Sequence, residues 1–95
     1  MPGQLSLTAA IILLAIENRH RYGFEIMEAT GLPSGTIYPA LRRLESSRLI
    51  RSDWEAAEAA ASQGPPRKYF RLTPAGRTAL EAAGKRFPAV AQLKG

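Results

Sequence analysis

The chain has no cysteine among its 95 residues. That excludes disulfides and thiolate metal sites, and it fits a reducing compartment. It has one histidine, His20, set between Arg19 and Arg21 with no predicted carboxylate beside it. A lone imidazole with no acid to orient it is poor material for a metal centre or a general base. His20 therefore reads as plain surface. Glu25 and Glu28 share a predicted helix without a companion cluster, and no phosphate-cradling glycine loop is present. The expectation is no enzyme, no metal and no cofactor. Long apolar runs are also missing. The stretch from Leu7 to Ile16 is too short to span a bilayer. No basic segment precedes it and no small-residue cleavage site follows, so the expected location is the cytoplasm, with no membrane contact.

Acids are scarce as well: eight, against thirteen Lys and Arg, for a net charge of +5. Such a balance favours a polyanionic partner. Its placement says more. Arg42, Arg43, Arg48, Arg51, Arg67, Lys68 and Arg71 all fall within residues 42–71. The length allows one compact domain. A domain of this size buries only ~60–65% of its unfolded surface, so a second copy would add stability.

Residues 7–18 predict a first helix, capped by Thr8 or Ser6. Ala9, Ile12, Leu13 and Ile16 fall on one side; Leu7, Ile11, Leu14 and Ala15 fall on the other. A surface helix carries one apolar stripe. Two stripes predict burial on both sides, the second against another subunit. A central core helix inside one domain is the other reading. Residues 22–29 predict a second helix with Tyr22, Ile26 and Met27 inward. Thr30-Gly31-Leu32-Pro33 reads as a turn, with Gly31 suited to positive φ. Residues 34–47 predict a third helix, whose Ile37, Ala40, Leu41 and Leu44 form a single stripe. Two short helices joined by a glycine-bearing turn make a helix-turn-helix.

Residues 50–54 and 68–72 predict short strands. Between them the alanine-rich stretch Glu55–Pro66 contains the breaker Gly64-Pro65-Pro66. The pair is a hairpin with a long loop, a wing. Thr73 and Pro74 start a last helix as cap and first position, ending near Phe87 because of Pro88. Leu80, Ala83, Gly84 and Phe87 share a face, and residues 89–95 either add a turn or fray. The fold class is mainly α with a small β-hairpin, a winged helix in the order α-α-α-β-β-α. Residues 1–72 are expected to form a DNA-binding winged-helix unit, with residues 73–95 as a dimerisation helix within the same compact body.

With Ile37, Leu41 and Leu44 inward, the third helix turns Gly35, Thr36, Pro39, Arg42, Arg43 and Ser46 outward, with Tyr38 at the flank. Glu45 is expected to point away from DNA. Small residues at the helix start permit close approach to a duplex, and the helix N-terminus attracts phosphate. Arginine reads guanine or neutralises phosphate. Pro39 cannot donate to the Gly35 carbonyl, so the first turn must loosen at the proposed contact surface. On the wing, Arg67, Tyr69 and Arg71 share one face; Lys68, Phe70 and Leu72 share the other, with Phe70 and Leu72 inward. Trp54 is expected to pack in the core or at an interface.

Tyr22-Gly23-Phe24-Glu25-Ile26, the run Ser34-Gly35-Thr36-Ile37-Tyr38-Pro39-Ala40-Leu41-Arg42-Arg43-Leu44-Glu45, then Leu49-Ile50, and the run Gly64-Pro65-Pro66-Arg67-Lys68-Tyr69-Phe70-Arg71-Leu72-Thr73-Pro74-Ala75-Gly76-Arg77 together resemble the PadR family of transcriptional regulators. The resemblance spans roughly residues 5–87. It implies a dimeric winged-helix repressor on a pseudo-palindromic operator, with Tyr38 on backbone phosphate. It further implies that the helix after the wing and the first helix join the subunits, and that some short members take small aromatic or cationic effectors between them. The wing-loop acids Glu55 and Glu58 and the short C-terminal helix without tryptophan depart from the pattern.

The candidate DNA-binding set is Ser34, Gly35, Thr36, Tyr38, Pro39, Arg42, Arg43, Arg67 and Lys68. The candidate dimerisation set is Leu7, Ile11, Leu14, Leu80, Ala83 and Phe87. The expected partners are double-stranded DNA, which would place the protein at the nucleoid, and a second copy of the chain; any small-molecule effector is unspecified. A winged helix used for protein–protein contact and an RNA-binding winged helix are the alternatives.

Overall fold

Ser6 caps the first helix by accepting the Ala9 N–H at 3.1 Å. A computed structural model describes residues 5–55 and 67–93 of the chain. The stretch 56–66, with Glu58 and the Gly64-Pro65-Pro66 breaker, lies outside the described residues, as do 1–4 and 94–95. The element order is α1 (Leu7–Glu17), α2 (Gly23–Thr30), α3 (Ser34–Ser46), β1 (Ile50–Trp54), β2 (Lys68–Leu72), α4 (Pro74–Arg86) and α5 (Pro88–Leu93). Both strands fall on the predicted residues. They pair antiparallel, with Ile50 opposite Leu72 and Trp54 opposite Lys68. The result is a winged helix.

The core is built on α1. Ala10, Ile12, Leu13, Leu14, Ala15 and Ile16 are all buried, and α1 packs against α2, α3, α4, α5 and β2. A helix apolar on every side belongs in the middle of a domain. The reading of α1 as a central core helix thus accounts for Leu14 and Ala15 of its second stripe. α5, whose Val90 is buried, packs against α1. Residues 88–93 are neither frayed nor a last turn of α4. Pro88 breaks α4, and a separate short helix folds back onto α1 and α4.

This burial corrects part of the expected dimer set. Leu14, Leu80 and Ala83 lie in the protomer's own core. They offer little area to a second copy, because their partners come from the same chain. Leu7 is 47% exposed, and Ile11 and Phe87 are half-buried.

Local signals explain the ends of the other helices. Glu25 accepts the N–H groups of Arg21 and Tyr22 at 3.0 and 3.4 Å, satisfying donors at the start of α2. Gly31, at φ 75°, ends α2 with its N–H on the Met27 carbonyl. Thr73 accepts the Gly76 N–H at 3.0 Å to start α4, and donates its hydroxyl to the Arg48 carbonyl at 2.7 Å. Gly76 is required there. A Cβ at this position would collide with the Leu49 carbonyl, with its carbon only 2.9 Å away. The absence of a side chain lets the first turn of α4 sit on the turn between α3 and β1.

Candidate nucleic-acid interface

Residues 21–22 run beside β2: the Phe70 N–H donates to the Arg21 carbonyl at 2.8 Å, and Tyr22 bridges to Tyr69. This fixes the start of α2 against the wing. Together α2, α3 and β2 border an open groove of about 370 Å³ whose wall includes Phe24, Tyr38, Arg42, Glu45 and Lys68. Its floor is apolar, from Leu41 and Phe70.

On α3, Ser34, Gly35, Pro39, Arg42 and Arg43 are exposed, and Thr36 is half-buried. Nothing lies within 4 Å of where a Gly35 Cβ would stand. Pro39 removes the N–H that would bond the Gly35 carbonyl. The first turn of α3 is thus open on its outer side. Tyr38 is 44% exposed, and its ring rests on Gly23: a Cβ there would stand 2.8 Å from the ring carbon Cε1. Gly23 therefore sets where the Tyr38 hydroxyl sits.

The two α3 arginines diverge. Arg42 lines the groove beside the wing. Arg43 lines a separate hollow with Ala40, Leu44, Lys85 and Arg86. Consecutive helical residues point about 100° apart, so the pair cannot act as one double contact. Neither makes an ion pair among the described residues.

Glu45 does not turn away from this surface. It accepts the Ser52 hydroxyl at 2.5 Å and stands 4.0 Å from the Lys68 ammonium. One turn beyond Leu41, it lies on the flank that meets β1, and Ser52 holds it there. The Lys68 pair is exposed at both ends, so it is weak and yields readily to a phosphate.

Arg67 is more firmly held. Its guanidinium lies 4.0 Å above the Tyr22 ring and reaches both Glu55 carboxylate oxygens at 3.4 Å. Tyr22 donates its hydroxyl to Glu55 at 3.1 Å, and the Glu55 N–H donates to the Arg67 carbonyl at 2.8 Å. The hydrogen bond from Arg67 holds the Glu55 carboxyl below the usual carboxylate range, and hydrogen bonding to Glu55 raises the Tyr22 phenol. Glu55, Arg67 and Tyr22 close the neck of the wing. Arg67 is thus committed to its own chain, leaving Lys68 as the wing cation that faces α3.

Trp54 is not in the core: it is 65% exposed, with the Lys68 ammonium 6.0 Å from its ring. By strand alternation it shares the α3-facing side of the hairpin with Ser52 and Lys68. Phe24, 64% exposed on the groove wall, was missed from the sequence. A helical wheel finds it, because with Ile26 inward the adjacent rows of α2 point out.

The profile of the Transcriptional regulator PadR-like family matches residues 12–82. The chain belongs to this family. Among the relatives of this PadR-like regulator, a protein of Lysinibacillus sphaericus is 30% identical over 92 residues, which is 88% of this chain and 81% of its own length. Transcriptional regulator Rv3488 of Mycobacterium tuberculosis is 44% identical over 46 residues, 48% of this chain and 38% of its own length. The crystal structure of a PadR family transcription regulator from Clostridium difficile superposes with a TM-score of 0.69 at 31% identity, covering 90% of this chain and 92% of its own. The PadR-like chain is accordingly a transcriptional regulator. Among its described residues no helix is long and apolar enough to cross a membrane.

Proposed function

We propose that this PadR-like regulator is a repressor that binds a pseudo-palindromic DNA operator as a homodimer and reads it with α3. The observation that carries the reading is Arg42: exposed, without an ion pair among the described residues, beside an unobstructed helix start at Ser34 and Gly35. Arg42 reads a base edge in the major groove. Tyr38, seated on Gly23, donates to a backbone phosphate. Thr36 and Pro39 border the same surface, Lys68 grips the flanking backbone, and Arg43 contributes charge from the other side of α3. Arg67 acts through the wing neck. The second copy docks on the side of α1 that keeps Leu7 and Ile11 accessible, near Phe87.

The test begins with duplexes selected from a random pool. Their half-sites should lie near ~10 base pairs apart, or a multiple, as two reading helices on a two-fold axis require. With the selected duplex, Arg42→Ala should cost ~1–3 kcal/mol and relax specificity at one position, whereas Lys68→Ala should weaken all sequences alike and lower the salt slope by about one. Undiminished operator binding by the Arg42 variant refutes α3 as the reading element. Preference for hairpin RNA over the duplex refutes the DNA reading.

A further inference from the structure

On the outer face of the hairpin, turned away from α3, the end of α1, β2 and the first turn of α4 enclose a hollow of about 210 Å³. Four arginines line it: Arg19, Arg21, Arg71 and Arg77. Among the described residues, the only acid in its wall is Glu17. Arg77 Nε stands 3.7 Å from Glu17, and Arg71 Nη2 stands 3.4 Å from Asp53. Both arginines of these pairs are exposed, so each is free to exchange its carboxylate for a better anion. The side chains of Arg19 and Arg21 form no ion pair among the described residues. Four arginines thus share one polar concavity with the Glu17 carboxylate, and Asp53 pairs with Arg71 from outside its wall.

Arg19 also closes α1. Its N–H donates to the Ile16 carbonyl at 3.0 Å, the His20 N–H donates to Ala15 at 2.9 Å, and its φ is 75°. That closing position ordinarily takes glycine. Arg48 stands in the same kind of conformation after α3, so the backbone alone marks nothing. What sets Arg19 apart is the three arginines around it.

We propose that this hollow binds a polyphosphate group. Planar guanidinium forks match phosphate oxygens two at a time, and several converging forks suit a chain of phosphates. The volume is below the roughly 300 Å³ of a pocket that encloses a whole drug-sized ligand. It therefore takes the phosphate chain and leaves any sugar and base outside. The operator is not its occupant. Arg71 alternates with Phe70 on β2, so it points to the side of the hairpin opposite α3. A duplex seated on α3 does not reach behind the sheet. The site goes beyond the DNA-reading surface and shares none of its residues.

Titration calorimetry on the full chain tests this with inorganic triphosphate, ATP, GTP and AMP. The expected result is similar affinity for the first three and far weaker binding of AMP. Arg19→Gly with Arg21→Ala should weaken triphosphate about tenfold or more, the loss expected when charge-assisted hydrogen bonds are removed. Arg19→Gly alone should melt no lower than wild type, since glycine suits that φ, so lost binding is not lost folding. Absence of saturable triphosphate binding overturns the proposal, as does binding undiminished in the double variant. Binding of a nucleotide without binding of triphosphate would also overturn it. So would a double variant that loses duplex affinity in step with triphosphate affinity, which would make the patch a DNA contact.

Discussion

Gly35→Ala separates stability from recognition, because the structure predicts opposite signs for the two. Gly35 is the second residue of α3, exposed, with nothing within 4 Å of a built Cβ and no positive φ. Alanine at an unstrained helical site stabilises by roughly 0.5–1 kcal/mol, through helix propensity and a less disordered unfolded chain. In a domain this size that raises Tm by about 2–8 °C. The same methyl group points where the duplex should approach. Forcing a methyl into a close-packed contact costs about 1–3 kcal/mol, or roughly 5- to 150-fold in affinity. A thermal melt by circular dichroism and an anisotropy titration with the selected operator read the two effects from one sample. A variant that melts higher and binds weaker fits. Equal or tighter operator binding would show that the start of α3 stays clear of DNA. A lower Tm would refute the open geometry around Gly35.

Three further outcomes follow from the packing. Gly76→Ala meets the Leu49 backbone rather than a yielding side chain, and should destabilise by about 1–3 kcal/mol in a urea melt; a neutral result would mean that α4 does not sit on the turn after α3. Glu55, whose folded pKa is depressed, adds stability above its unfolded pKa near ~4.3 that is lost as pH falls through the folded value. Tyr22, whose folded pKa is raised, adds stability below the ordinary value of 10.0 that is lost as pH rises past it. Fluorescence of the neighbouring Trp54 followed against pH should report the neck loosening at both limits, and Glu55→Gln should abolish the acid limb. Leu7→Glu should halve the mass seen by light scattering to the 10.3 kDa of one chain without unfolding it. Leu80→Asp, with the side chain fully buried in the protomer, should unfold the chain instead; a folded monomer from Leu80→Asp would place α4 at the interface after all.

The core and its order were legible because their signals are local. The single stripe on α3, the Thr73-Pro74 start and the Gly31 stop each act within one or two turns. The strands were readable from five-residue patterns between breakers. The site was legible only in outline. The wheel put Arg42 and Arg43 on one outer face, but it could not show that α2 and the wing lie on one flank of α3 while α4 lies on the other. Glu45 looked core-adjacent and harmless, yet Ser52 draws it into the groove. The two stripes of α1 were legible, but not that Leu14 and Ala15 of the second are buried within the same chain, where the short α5 packs, while Leu7 stays exposed.

By itself, the sequence determined the winged-helix order, the family and the basic character of the α3 surface. Residue spacing, caps and contiguous motif blocks are enough for that. Only the tertiary structure decided which cation is free. Arg67 is spent on Glu55 and Tyr22, Lys68 leans on Glu45, and Arg42 forms no ion pair among the described residues. It alone gathered Arg19, Arg21, Arg71 and Arg77 into one hollow. The reason is that charge pairing falls off over a few ångströms, and the distance between residues fifty positions apart is set by how helices and strands stack, not by any pattern along the chain.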